Sequence, residues 1–335
     1  MFSRLVCYCS IALHSFNYSS TTGLSEMFVS KQFVRFFGST TSVWNTSKSH
    51  LAQLRKKTGY TFSNCKKALD MHNNDLEKAE KWLHEQAQAL GWTKATNVGG
   101  RKASEGLIAI VINKNHGAMV EMNCETDFVS RNSSFQTLAN LIAKSCISIV
   151  PQVCNTTKSL HKEILDGKAV GSLAAPDGKT LADHVALQIG ILGENMVLKR
   201  AVLISVSDKI LLSGHSHPAP QDPNSPLLGK YGAIVAYHPK DNEPLTDETQ
   251  TIGRHLCQHV IGMNPKIVGD LEKDKPHENA DDEKTMIYQD YILDPETKVQ
   301  EILDENNIAV VDFIRFEVGE AETSNEEPSS VRAQA

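Results

Sequence analysis

Residues 106–124, GLIAIVINKNHGAMVEMNC, decide the fold. Two apolar runs, 106–112 and 118–124, flank a polar segment in which Asn113, Asn115 and Gly117 tolerate positive φ. That pattern predicts a β-hairpin. After Thr126 and Asp127 the period changes to helical. Phe135, Leu138, Leu141, Ile142 and Cys146 mark an apolar side, and Pro151 is expected to stop the helix.

Working downstream, residues 180–192 read as a second helix. Thr180 and Asp183 stand at capping-box spacing, and Leu181, Val185, Ile189 and Leu192 follow the 3.6 period. Residues 196–206 and 231–237 read as strands, 218–226 as a Pro-rich loop, 247–263 as a helix and 308–318 as a strand. Strands joined by both hairpins and helices predict an α+β fold with a two-part core of antiparallel sheets packed with helices, and not one continuous parallel sheet.

Working upstream, residues 49–92 read as three short helices. Leu51 and Leu54 mark the first, Thr58-Gly59-Tyr60 breaks it, and Cys65, Ala68 and Leu69 mark the second. Asp75 is placed to cap the third, with Leu76, Ala79 and Leu83 inward. Three helices in so few residues predict a small bundle like a ubiquitin-associated (UBA-like) domain. Residues 93–105, with Gly99-Gly100, read as a linker. The core is then expected to divide into an N-subdomain, 106–207, and a C-subdomain, 208–319.

The two ends differ in composition from this body. Residues 1–48 contain Arg4, Lys31, Arg35 and Lys48 against one acid, Glu26, and they are rich in Ser, Thr and Phe. This is the composition of a mitochondrial transit peptide, with a short amphipathic helix expected over 28–37. A secretory signal is the rival reading, but the apolar run 5–13 lacks a small-residue cleavage site. Residues 320–335 are acidic and Ser-rich and read as a disordered tail. The whole chain of 335 residues carries a formal charge of -6. Without residues 1–48 the charge is near -9, which argues against phosphate backbones as direct ligands and favours a protein partner. No apolar run is long enough for a membrane span. The seven cysteines include no CxxC pair, in keeping with a reducing compartment and without a disulfide framework or zinc knuckle.

Enzyme motifs are absent from the sequence: there is no phosphate loop, GxGxxG, GxSxG or HExxH. His255 and His259, with Cys257 between them, stand at i, i+4 on an expected helix. They read as core or capping histidines more readily than as metal ligands, so no metal and no cofactor is expected. His215 and His217 are expected in a loop. An enzyme built on the His255/Cys257/His259 cluster and a ubiquitin-associated-type adaptor are the alternative functional classes.

Two longer runs carry a resemblance. Glu121-Met122-Asn123-Cys124-Glu125-Thr126-Asp127-Phe128-Val129-Ser130-Arg131 resembles the signature of elongation factor Ts, the nucleotide-exchange factor of elongation factor Tu. Leu54-Arg55-Lys56-Lys57-Thr58-Gly59, followed by Cys65-Lys66-Lys67-Ala68-Leu69, resembles the family's second signature. Similarity continues through Leu192-Gly193-Glu194-Asn195, Gly229 to Ala233, Gln258 to Met263 and Val311 to Glu317, so it spans about residues 48–319. The import-like N-terminus points to the mitochondrial branch and so to the matrix.

The resemblance implies a translation factor without bond chemistry. Its partner would be mitochondrial elongation factor Tu in a 1:1 complex, with no direct binding of nucleic acid, nucleotide or membrane. Phe128 would wedge into the GTPase domain and disturb its magnesium site, with Thr126 and Asp127 beside it. Leu192 and Gly193 take the place of an Ile-Gly contact pair. Lys57 and Gly59 belong to a contact loop over 57–62. His217 matches a contact histidine, although its usual Tyr-x-His-Gly setting reads His215-Ser216-His217-Pro218 here. From the residues alone, Asp127 is expected to cap the following helix, and Phe128 reads as that helix's first core residue more readily than as a partly exposed anchor at the corner; the resemblance favours the exposed anchor. The residues 265–291 lack sustained heptads, so the coiled-coil hairpin that bacterial members carry in the C-terminal half is not expected.

Overall fold

The computed structural model describes residues 44–154, 159–220, 222, 225–240 and 247–320. The expected transit peptide lies outside these residues as far as Val43, as does the acidic tail beyond Glu320.

Three helices come first: α1 (Trp44–Thr58), α2 (Phe62–Met71) and α3 (Leu76–Val98). Leu54, Tyr60, Cys65, Ala68, Leu69, Ala79, Leu83 and Ala87 form their common core. Asp75 caps α3 as expected, accepting from the Glu77 and Lys78 amides at 3.1 and 3.2 Å. The helix does not end at Trp92 but runs on to Val98, because Ala95 and Val98 pack against the main core.

The body contains β1 (Glu105–Asn113), β2 (His116–Cys124), α4 (Asp127–Ser130), α5 (Ser133–Val153), β3 (Leu160–Asp166), α6 (Gly167–Ser172), α7 (Leu181–Leu192) and β4 (Met196–Val206). Then come β5 (Leu211–His217), β6 (Leu227–Gly229), β7 (Tyr231–Pro239), α8 (Asp247–Met263), β8 (Asp290–Tyr291), β9 (Asp294–Lys298), α9 (Val299–Glu305) and β10 (Ile308–Glu317). The predicted hairpin is β1–β2, in register from Glu105–Cys124 to Asn113–His116. Strands order as β3-β4-β2-β1-β6 in one sheet and β10-β7-β5 in a second, with a short β8-β9 pair, all antiparallel.

Strand alternation explains the layering. Ala118, Val120 and Met122 of β2 face the core made with Phe135, Ile142 and Leu181 of α5 and α7. Met119 of β2, with Ile108, Ile110 and Ile204, faces the other way, onto Ile234, Ala236 and Phe316 of the second sheet. Ala233, Val235 and Tyr237 on that sheet's far face meet Leu256 and Val260 of α8. With both faces of the larger sheet covered, its hairpin reads as nearly continuous apolar sequence rather than strict alternation.

Three local expectations change. Pro151 sits inside the last turn of α5, which continues to Val153, where Val150 and Cys154 are buried. His215, Ser216 and His217 lie on strand β5, not in a loop; the segment pairs with β7, His217 opposite Tyr231, and its small polar residues hide the alternation. The helix expected after Asp127 is two helices, interrupted at Arg131 and Asn132, and Asn132 caps the second by accepting from the Ser134 amide at 2.8 Å.

Within the cluster at 255–259, His259 and Cys257 are buried and held by structural hydrogen bonds. His259 is fully buried; its Nε2 lies 3.0 Å from Gln289 Oε1, and its Nδ1 accepts from the Ile292 amide at 3.3 Å. A second proton would face that amide. Burial pushes the imidazole down to about 4 from 6.5. The unfolded chain therefore binds the extra proton first, and stability present above about pH 6.5 is lost as pH falls toward 4. Urea unfolding at pH 7.5 and pH 5 is expected to differ by about 2 kcal/mol from this group. His259→Gln should flatten that slope, and an unchanged slope would assign it elsewhere. Burial also pushes the Cys257 thiol up to about 12, and it donates to the Ser213 carbonyl at 3.2 Å. Among the described residues no three of His, Cys, Asp or Glu are grouped to hold a metal ion, and no helix is long and apolar enough to cross a membrane.

One crossing positions the helical module. A Cβ on Gly91 of α3 would stand 2.9 Å from the Ala186 carbonyl oxygen of α7, and one on Gly190 of α7 would stand 3.0 Å from that of Ala87. Only glycine at both places lets the helices approach so closely. Lys94 Nζ closes the crossing by donating to the Gly190 carbonyl at 2.9 Å.

Candidate partner-binding site

The end of β2 and the start of β4 are neighbours, with Cys124 opposite Met196. That pairing brings the β2–α4 corner, Glu125 to Phe128, beside the α7–β4 turn, Leu192 to Asn195. Thr126, not Asp127, is the cap: its Oγ1 accepts from the Val129 amide at 3.4 Å. Asp127 is the first residue of α4, and its carboxylate pairs with Arg131 at 2.9 Å. The physical reason is spacing: the hydroxyl one residue earlier, on extended backbone, is the group that reaches the third amide.

Phe128 follows on α4 and is 80% exposed, more than any other large apolar side chain among the described residues. Val129 and Ser130 behind it are buried and anchor the turn. Leu192 is half-buried and packs against the main core. Gly193 caps α7 at φ 78°, a left-handed conformation that disfavours a side chain, and its amide donates to Ile189 at 2.8 Å. Leu192 thus packs on the core with part of its surface accessible, and Gly193 is an exposed helix cap beside it.

The 57–62 loop of the helical module reaches the same place. Gly59, at φ +74°, would set a Cβ 3.1 Å from Ser134 Oγ at the start of α5. A Cβ on Gly193 would lie 3.8 Å from Thr61 Cγ2. Phe62 beside this loop is 55% exposed. Lys57 points into an ion pair with Glu80 at 2.5 Å. The structure thus brings together Gly59, Thr126, Asp127, Phe128, Leu192 and Gly193. His217 stands apart, exposed on β5 with its ring 6.3 Å from that of Tyr231, at a cleft of about 650 Å³ that Ile261, Leu293 and Arg315 also line.

Sequence reasoning missed the residues that tie the corner together. Glu194 accepts from the Thr126 amide at 3.1 Å and from its hydroxyl at 2.8 Å. Glu125 accepts from the Asn195 amide at 2.6 Å and pairs with Arg101 at 3.5 Å, while Asn195 Nδ2 donates to the Arg101 carbonyl at 2.7 Å. All four were visible as letters, but no local spacing links residues about seventy apart. Burial, reinforced by the charge of Glu194, pushes the Cys124 thiol up to about 12, so it stays a protonated donor to the Thr126 carbonyl and not a nucleophile. An exposed aromatic on a capped turn, with its neighbouring carboxylates paired, offers a surface for contact.

A family model described as "Elongation factor TS" matches residues 125–276 and 268–320, and one described as "Elongation factor Ts, mitochondrial, N-terminal" matches residues 34–93. The chain belongs to the elongation factor Ts family. Its similarity is to mitochondrial members: it is 49% identical over 276 residues to the mitochondrial elongation factor Ts of Aedes aegypti, covering 82% of this chain and 88% of the relative. It is 48% identical to that of Drosophila melanogaster over 82% of this chain and 86% of the relative. To that of Homo sapiens it is 42% identical over 84% and 86%. Among the described residues, the most exposed large apolar side chain, Phe128, lies within the region matched by the family model, at the corner formed by β2 and α4.

Proposed function

We propose that this chain is the nucleotide-exchange factor of mitochondrial elongation factor Tu, acting in the mitochondrial matrix after removal of an N-terminal transit peptide. It binds Tu 1:1 and binds neither nucleotide nor nucleic acid itself. Phe128 wedges into the GTPase domain, disturbs the magnesium site and loosens GDP. The carrying observation is the 80% exposure of Phe128 on a one-turn helix whose other side chains are buried or paired. A large aromatic held out from a fixed turn is suited to anchor an interface.

Thr126 and Asp127 shape that turn, Leu192 and Gly193 flank it, and the loop bearing Lys57, Gly59 and Phe62 extends the surface. His217 and its cleft form a separate contact. The three helices act as a UBA-like docking module for the same partner. The α3–α7 crossing favours this over an independent ubiquitin-binding adaptor, since it fixes the module to the body.

The mechanism is a linkage effect. If the factor weakens GDP on Tu, GDP weakens the factor by the same ratio, and incoming GTP then expels it. The direct test is release of a fluorescent GDP analogue from mitochondrial Tu. Adding the purified chain should speed release at least tenfold at saturation. No acceleration, with complex formation verified by gel filtration, would refute the reading.

A further inference from the structure

With most of its ring in solvent, Phe128 owes its position to the backbone of α4. That helix is a single turn of four residues, too short to be stable by its own hydrogen bonds. We propose that Glu194 is a positioning residue for exchange, holding Thr126 as the cap of α4 and thereby fixing the direction of Phe128. The proposal rests on the reading of Phe128 as the wedge.

The geometry is specific. Both oxygens of Glu194 engage Thr126: Oε1 takes the hydroxyl proton at 2.8 Å and Oε2 takes the amide at 3.1 Å. With its one hydrogen committed to Glu194, the Thr126 hydroxyl has only lone pairs left to offer, and these face the Val129 amide that begins the helix. A rotated threonine would lose that alignment. A carboxylate acceptor strengthens both bonds relative to a neutral one. Glu125 makes the reciprocal link by holding the Asn195 amide at 2.6 Å, so the corner and the α7–β4 turn clasp each other in both directions. Glu194 is only half-buried, while Leu192 and Met196 on either side carry the apolar packing. Its removal therefore loosens the corner without opening the core.

The test compares wild type, Glu194→Ala, Phe128→Ala and the double variant in the nucleotide-release assay, with saturating rate and half-saturating concentration read separately. Glu194→Ala is expected to lower the saturating rate about tenfold and to move the half-saturating concentration by less than about twofold. Glu194→Gln, which keeps an acceptor for Thr126, should recover most of the rate. In the Phe128→Ala background, removing Glu194 should change nothing further. Independently of any partner, amide exchange at Val129 and Ser130 should quicken at least tenfold in Glu194→Ala. Equal losses of rate in both backgrounds, or unchanged protection of those amides, would overturn the positioning role alone. A wild-type chain that fails to speed release would overturn the exchange reading and the proposal together.

Discussion

Phe128→Ala should reduce stimulated GDP release from mitochondrial Tu by about thirtyfold while leaving the protein as stable as wild type. The two halves of this expectation have different origins. Truncating a central aromatic anchor costs an interface about 2 kcal/mol or more, and each 1.4 kcal/mol is tenfold. In the free protein the ring is 80% exposed, so little apolar contact is lost and the change in folding stability stays within about 0.5 kcal/mol. Stopped-flow release of a fluorescent GDP analogue, paired with a thermal melt of the variant, separates the two. A variant that melts like wild type and still releases GDP at the wild-type rate would remove Phe128 from the mechanism.

The largest expected effect on folding lies at Glu121. It is completely buried on β2, where its Oε2 accepts from Arg200 Nε at 2.7 Å. Its Oε1 accepts from the Gly319 amide at 2.9 Å and from Asn123 at 3.3 Å. Arg200 in turn stacks over Phe316, 4.1 Å from the ring centroid, and reaches Glu320 at 3.4 Å. The two sheets and the end of β10 are therefore joined through one carboxylate. Glu121→Ala leaves a nearly buried guanidinium without its main partner, which costs about 3–5 kcal/mol. Replacing both members, as in Glu121→Leu with Arg200→Met, should cost far less because no charge is stranded. Urea unfolding measures both. A loss below about 1 kcal/mol for Glu121→Ala would show that water or Glu320 compensates the arginine.

Legibility in the sequence followed the range of each interaction. The hairpin, the Thr180–Asp183 capping box and the Asp75 cap are each fixed within a few residues, and each stands where it was expected. Strand β3, with the sequence LHKEILD, was missed because it is an edge strand with a largely polar pattern, held by β4 on one side alone. Strand β5 was missed because Ser213, Gly214 and Ser216 offer no apolar alternation, although Ser213 and Ser216 are the buried positions. At the corner, Phe128 was readable as an exposed aromatic only through the family resemblance. Its control by Glu194 was not readable at all, since the contact spans 68 residues and depends on the pairing of β2 with β4.

The glycine crossing of α3 and α7 has a kinetic meaning. The long helix, 23 residues or about 34 Å, is fused to the body along its C-terminal half rather than strung from it by a tether. Tethered modules bind in stages, the second contact being governed by the cloud of positions its linker allows. Here the distribution collapses to one spacing. On the proposed reading, a partner that touches both the 57–62 loop and the Phe128 corner is gripped as by a caliper whose jaws cannot be adjusted, and both contacts are expected to form together and part together, with a single lifetime for the complex.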